Sequence, residues 1–143
     1  RLLGELLSHH LQHAFSEGLT KPDILLAVPL SSRRLRQRGF NQAQMLARWL
    51  AHSLQLPVTE HLLQRTQDTP AQQKLSAAER KRNLRQAFQL GDPLAVAGRH
   101  VALVDDVLTT GATAEAIARV LKKAGAARVD VYCLARTPSP GEH

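Results

Sequence analysis

Cysteine occurs once, at Cys133, in a chain of 143 residues. A single thiol excludes an internal disulfide framework, and the chain has no zinc-ligand cluster, since His9 and His13, at helical metal-ligand spacing, have no third ligand. Aromatic residues are scarce: three Phe, one Trp and one Tyr. The core must therefore be built from Leu, Val, Ile and Ala, and stacking on single-stranded nucleic acid has little to use. No apolar run approaches the length of a bilayer span, and no secretory leader pattern is seen. Membrane insertion is thus not expected, and a cytoplasmic location is. Acidic residues number 12 against 19 Lys and Arg, for a net charge of +7. That balance favours phosphate-bearing partners, either nucleic acid or phosphorylated small molecules. Apolar residues, at 43%, are present in ordinary amount. They suffice for one packed domain over residues 1–143. The chain opens at Arg1 already within a helical pattern, as expected of a piece of a longer protein.

Leu2, Leu3, Leu6, Leu7, Leu11, Ala14 and Phe15 recur at helical spacing, and Gly18 ends the run. Residues 24–30, I-L-L-A-V-P-L, form a continuous apolar run of strand length, as in a parallel strand buried on both faces. The basic stretch that follows, S-S-R-R-L-R-Q-R-G-F-N-Q, reads as a loop. A second helix carries Met45, Leu46, Trp49, Leu50 and Leu54 and stops before Pro57. Residues 58–63 are a weaker strand candidate, and the polar residues 64–74 read as a mobile loop. Ser76 and Glu79 have capping-box spacing, so a helix starts there. Its body is nearly devoid of apolar residues and belongs on the surface. Residues 100–107 are the clearest strand, 114–124 the clearest helix, closed by Gly125, and 129–134 a further strand. The tail 137–143 is expected to be disordered. Strands alternating with helices imply an α/β fold with a mostly parallel central sheet flanked by helices.

The stretch V-A-L-V-D-D-V-L-T-T-G-A-T, residues 101–113, carries the chemistry. In an open α/β sheet, ligands bind at the carboxyl ends of strands, where Asp105 and Asp106 stand. Thr109, Thr110, Gly111, Ala112 and Thr113 then form the turn into a helix. Small residues let backbone N–H groups converge there, and the helix terminus adds positive potential, so the turn suits a phosphate. Carboxylates would repel that phosphate unless they face something else, and the vicinal hydroxyls of a sugar fit. The stretch therefore reads as a ribose-5-phosphate cradle. A Walker loop is absent, the three spaced glycines of a dinucleotide site are absent, and Val107 stands where a D-x-D nucleophile motif needs its second acid. A plain turn cap is the competing reading; adjacent carboxylates at a strand end without partners are costly, which disfavours it.

The whole string closely resembles the phosphoribosyl pyrophosphate (PRPP) motif of type I phosphoribosyltransferases. The segment V-P-L-S-S-R-R-L-R-Q-R-G-F-N-Q-A, residues 28–43, resembles the signature of the ComF/GntX family within that fold. So does the later pattern Arg65, Thr69, Gln72, Leu75, Arg80, Asn83 and Phe88. The resemblance implies that Asp105 and Asp106 hold the ribose hydroxyls and that residues 109–113 hold the 5-phosphate. It implies that Leu30, Ser31, Ser32, Arg33 and Arg34 bind pyrophosphate, and that Arg38, Gly39, Phe40, Asn41, Gln42, Gln72, Arg80 and Asn83 belong to the family pattern. The fold implied is a parallel core with a mobile hood, residues 64–88 being placed for a closing loop; a basic surface hairpin is the alternative there. Relatives often carry an N-terminal four-cysteine zinc module, which this chain lacks.

Arg33, Arg34, Arg36 and Arg38 also stand together by charge alone. A solvated loop is one reading. Bidentate binding of a multiply charged diphosphate is the better one if the first and fourth strands are neighbours. Thr109 stands where 6-oxopurine salvage enzymes carry a general-base aspartate, so those purines are poor acceptors to expect. His9, His10 and His13 lie away from every motif and read as surface residues; Cys133 reads as a core thiol. Two functions follow. One is transfer of a phosphoribosyl group from PRPP, with Mg²⁺, to an acceptor the sequence does not name. The other is a non-catalytic PRPP-sensing or DNA-binding role, with single-stranded DNA or the competence machinery as partner. A homodimer is compatible with either.

Overall fold

The computed structural model describes residues 2–30, 35–37, 39–65, 76–108 and 111–136. In chain order these form α1 (Leu2–Ser16), β1 (Ile24–Ala27), α2 (Gln42–Leu54), β2 (Leu63–Arg65), α3 (Ala77–Gln86), β3 (Phe88–Leu90), a 3-10 turn (Pro93–Ala95), β4 (His100–Leu108), α4 (Ala112–Lys123) and β5 (Arg128–Arg136). β1 and the first half of β4 coincide with the apolar runs. β4 is central, with β1 and β5 parallel to it on either side. The register places Ile24 opposite Val101 and Ala27 opposite Val104. On the other side it places His100 opposite Arg128 and Asp105 opposite Cys133.

Both faces of β1 and of β4 up to Val104 are covered, which is why those strand sequences do not alternate. Ile24, Leu26, Val101 and Leu103 pack with Ile117 and Leu121 of α4 and with Leu63 and Phe88. Leu25, Ala102, Val104 and Tyr132 pack with Leu46, Leu50 and Leu54 of α2 and with Leu11 of α1. Leu25, Leu103 and Ile117 are wholly buried, and each such side chain stabilises the fold by about 1.5–3 kcal/mol.

The region before β2 departs from expectation. The candidate strand 58–63 reduces to a parallel bridge of Val58 with Leu25. The Leu25 N–H donates to the Pro57 carbonyl at 2.9 Å, and the Thr59 N–H to the Leu25 carbonyl at 3.2 Å. His61, with φ 66, then turns the chain out of the sheet, and β2 begins only at Leu63. β2 pairs antiparallel with β3, Leu63 opposite Leu90 and Arg65 opposite Phe88. Three residues, F-Q-L, are too few to show a period, so β3 has no counterpart in the sequence reading.

The capping box is present: Ser76 accepts from the Glu79 N–H at 3.1 Å, and the Glu79 carboxylate accepts from the Ser76 N–H. α3 is less of a surface helix than its composition suggests, because Leu84 packs onto the core. Residues 35–37 are helical, and the Gly39 N–H closes on the Leu35 carbonyl at 2.7 Å, so the expected loop holds a turn. Cys133 is half-buried rather than a core thiol; it lies on β5, an outer strand of the three. His9, His10 and His13 are exposed, as expected. No helix among the described residues is long and apolar enough to cross a membrane. The tail 137–143 and the loop residues 66–75 lie outside the described residues.

Candidate functional site

Parallel pairing brings the ends of β1 and β4 together. The Val28 N–H donates to the Val104 carbonyl at 2.9 Å, so Pro29 and Leu30 leave the sheet beside the position where Asp105 follows. The first strand and the strand that carries the carboxyl pair are thus neighbours, the placement on which the arginine-loop reading depended; that strand counts as fourth because β3 precedes it. Ser31, Ser32, Arg33, Arg34 and Arg38 lie outside the described residues, as do Thr109 and Thr110.

Asp105 and Asp106 fall within β4, which runs on to Leu108. Both are partly buried. The Asp106 N–H donates to Asp105 Oδ1 at 2.9 Å. Burial pushes the Asp105 carboxyl up to about 6, and the neighbouring Asp106 carboxyl pushes the same way by hydrogen bond and by charge; the Asp106 N–H acts against them. Two adjacent carboxyl groups within the strand, one of them resisting ionisation, can accept from hydroxyls or face a cation and are poor partners for a phosphate.

The turn that the sequence reading assigned to a phosphate stands next in the chain. α4 starts at Ala112, two residues before the apolar periodicity suggested. Its cap is Gly111 at φ 79, which offers no side-chain cap bond. A left-handed cap without a Cβ lets a ligand approach the first turn, where Ala112 and Thr113 sit. Among the described residues, no group of three or more His, Cys, Asp or Glu is gathered as a metal site.

The family-pattern residues divide into two groups. Asn41 caps α2, accepting from the Gln44 N–H at 3.2 Å, and its amide donates to the Val28 carbonyl at 3.2 Å. Gly39 has φ 80 before it, Gln42 opens α2, and Phe40 is 46% exposed. These residues shape the exit from β1. Arg65 and Phe88 meet elsewhere, the guanidinium 5.4 Å from the ring centroid across the β2–β3 pair. Arg80 and Asn83 lie on α3. Thr69, Gln72 and Leu75 lie outside the described residues.

A cavity of about 300 Å³ opens between the end of β1, Leu35, the start of α2 and residues 58–65. Asp105, Asp106 and Gly111 do not line it. At its edge Arg48 grips Glu60 with Nε on Oε1 and Nη2 on Oε2, the latter at 2.8 Å. Hydrogen bonding to Arg48 holds the Glu60 carboxyl below the usual range. Sequence reasoning missed this cavity because its walls come from four separate segments. The left-handed His61 was its one local mark, and that is not visible in a residue string.

A model of the phosphoribosyl transferase domain matches residues 13–143. The chain belongs to that family. It is 47% identical to the DNA utilization protein YhgH of Salmonella typhi over 132 residues, 92% of this chain and 57% of that protein. It is 40% identical to competence protein F of Haemophilus influenzae over 119 residues, 82% of this chain and 52% of that one. With competence protein ComFC of Bacillus subtilis the identity is 33%, over 86% of this chain and 50% of the relative. These likenesses support the ComF assignment made on residues 28–43. The chain spans somewhat over half the length of the first of these relatives and about half of the others. Among solved structures, the glutamine PRPP amidotransferase from B. subtilis superposes with TM-score 0.60 at 25% identity, over 95% of this chain and 25% of that one. A purine phosphoribosyltransferase from Pyrococcus horikoshii gives TM-score 0.56 at 22% identity, over 95% and 71%, which speaks to the fold. The type I phosphoribosyltransferase architecture of this domain accords with the parallel β1–β4–β5 sheet flanked by helices.

Proposed function

We propose that this domain binds PRPP and transfers its phosphoribosyl group to an acceptor, with pyrophosphate leaving. The supporting observation is the partly buried carboxyl pair within β4, just beyond its pairing with β1, followed in chain order by the left-handed Gly111 that opens α4. On this reading Asp105 and Asp106 accept from the ribose hydroxyls. Thr109, Thr110, Gly111, Ala112 and Thr113 receive the 5-phosphate. Leu30, Ser31, Ser32, Arg33 and Arg34 receive the pyrophosphate. The acceptor nitrogen or oxygen attacks C1 of the ribose, the bond from C1 to the diphosphate oxygen breaks, and pyrophosphate departs with the electron pair.

Mg²⁺ fits the donors present only in company with the substrate. Two carboxyl groups are one or two ligands for an ion that keeps oxygen from water and phosphate for the rest, and the mutual repulsion at Asp105 is relieved by a nearby cation. Bound, the ion would neutralise charge on the leaving diphosphate. The chain's own contribution is to hold the ribose and both phosphate groups in place. A cytoplasmic setting belongs to this reading.

The test is titration calorimetry with PRPP and Mg²⁺ on the folded chain, then a screen of nucleobases and amines for pyrophosphate release. Binding followed by release with one acceptor supports transfer. No heat and no thermal shift with the chain folded overturns it. A second reading has its own observation: relatives carry the names DNA utilization protein and competence protein F, and Phe40 and Arg36, close in sequence, are both exposed. Replacing Arg33 and Arg34 with Ala separates the two. A PRPP site loses pyrophosphate affinity. A DNA surface loses oligonucleotide affinity, with a salt slope shallower by roughly 0.7–0.9 per phosphate contact removed.

A further inference from the structure

The cavity beside β1 shares only Leu30 with the ribose and phosphate assignments. Its volume, about 300 Å³, lies at the small end of ligand pockets and matches a one- or two-ring molecule. Leu26, Ala27, Val58 and Leu63 give it apolar walls. Thr59, His61 and Gln64 also line it, and their side chains form no hydrogen bond with the described residues. They present a hydroxyl, an imidazole and a carboxamide, all groups that both donate and accept. The cavity's carboxylate is not open in this way: Glu60 is gripped in two-pronged fashion by Arg48. His61 is held at φ 66, a conformation that residues with a Cβ seldom adopt and that gathers at ligand sites.

We propose that this cavity binds a neutral heterocycle of one or two rings, with donors and acceptors on its edge, at a site separate from the carboxylate pair. Apolar walls cover the ring faces, and Thr59, His61 and Gln64 read the edge. A cationic ligand has no free carboxylate to meet, because Arg48 already neutralises Glu60.

The site's place in the reaction rests on the function proposed above. Leu30, first of the pyrophosphate segment, lines the cavity, whereas Asp105 and Asp106 do not. A nucleophile displacing pyrophosphate at C1 enters from the face opposite the leaving group. A heterocycle here stands on the leaving-group side, so it is an effector next to the pyrophosphate segment and not the acceptor.

The test is a backbone-amide NMR titration of the chain with uracil and with adenine, and with indole as a ring of similar size that has one donor and no matching acceptor. Shifts should centre on residues 58–65 and Leu30, leave Asp105, Asp106 and Gly111 in place, and be stronger for a nucleobase than for indole. Thr59→Val with Gln64→Leu should weaken nucleobase binding about tenfold, at two neutral hydrogen bonds lost, and leave indole unchanged. Thr59→Val alone, nearly isosteric, gives a smaller loss of the same kind and guards against misfolding of the double variant. Three results overturn the proposal: shifts centred on residues 105–112, indole binding as well as the nucleobases, or no shift with a dispersed, folded spectrum. A separate PRPP titration of the same sample keeps the two readings apart. Heterocycle binding without PRPP binding leaves the cavity assignment standing and removes only its placement beside a leaving group.

Discussion

The side-chain amide of Asn41 donates to the main-chain carbonyl of Val28 at 3.2 Å while its oxygen caps α2. One residue thus ties the start of a helix to the end of the first strand, at the point where the chain departs toward Leu30. Asn41→Ala should lower stability by about 2 kcal/mol, combining a lost cap of about 1 with a lost part-buried hydrogen bond of about 1. Asn41→Asp keeps the cap acceptor and loses the donor, so it should fall between the two. Urea unfolding of the three proteins checks this; an Asp variant as stable as the parent would show that the bond to Val28 contributes nothing.

Asp105 holds its proton more tightly folded than unfolded, its value standing at about 6 against an ordinary 3.8. The folded state therefore loses stability as pH rises from about 4 to about 6, and the loss is complete above that. Asp105→Asn removes the ionisation. It should raise stability at pH 7.5 by an amount on the order of 1 kcal/mol, since the side chain is only half-buried and solvent screens it, and give no gain at pH 4. Thermal unfolding at both pH values decides. An equal gain at both would trace the effect to something other than charge.

Asp106→Asn should weaken PRPP by about tenfold or more, the range for a hydrogen bond to a charged acceptor, and should scarcely alter pyrophosphate binding. The carboxylate is assigned to ribose hydroxyls, which pyrophosphate lacks. Calorimetry with both ligands checks it, and equal losses would show that the aspartates do not divide their work from the phosphate elements.

Tyr132 buries its hydroxyl without a hydrogen-bond partner among the described residues. Burial first, and the charge of Asp130 second, push its phenol up to about 12. Tyr132→Phe removes a desolvated donor and keeps the ring against Leu11 and α2. Stability should be unchanged or higher by up to about 1 kcal/mol. A loss above that size in urea unfolding would mean that the hydroxyl has a partner in solution.

How far the residues alone disclosed this molecule depended on length and locality. β1 and β4 were legible because a strand buried on both faces is an unbroken apolar run, and 24–27 and 101–104 are such runs. The capping box at Ser76 and Glu79 was legible because its bonds span three residues. β2 and β3 were not, because three-residue strands have no period and their pairing is decided by Phe88 and Leu63 meeting the core. The carboxyl pair and Gly111 lie in one short string and were read together. The cavity was invisible, since Leu26, Leu35, Thr59 and Gln64 come together only in three dimensions. Asn41 was noticed as part of a pattern, but its two hydrogen bonds, one within α2 and one to Val28 just after β1, needed the backbone.

The junction of β1 with β4 also sets an order of events. Asp23 and His100 exchange bonds at its amino end, the Asp23 N–H to the His100 carbonyl and the His100 N–H to the Asp23 carboxylate, both at 2.8 Å and 77 positions apart. A loop of that length must close before β1 and β4 can pair, and contacts this distant in sequence slow folding. On a ribosome, β1 emerges with α2 to cover one face but must wait for β4 before its parallel edge is filled. Until then residues 24–28 are an apolar strand with an open side, the state most open to pairing with the wrong chain. The candidate site is thus among the last parts of the molecule to form, because β1 and β4 are made at opposite ends of the same delay.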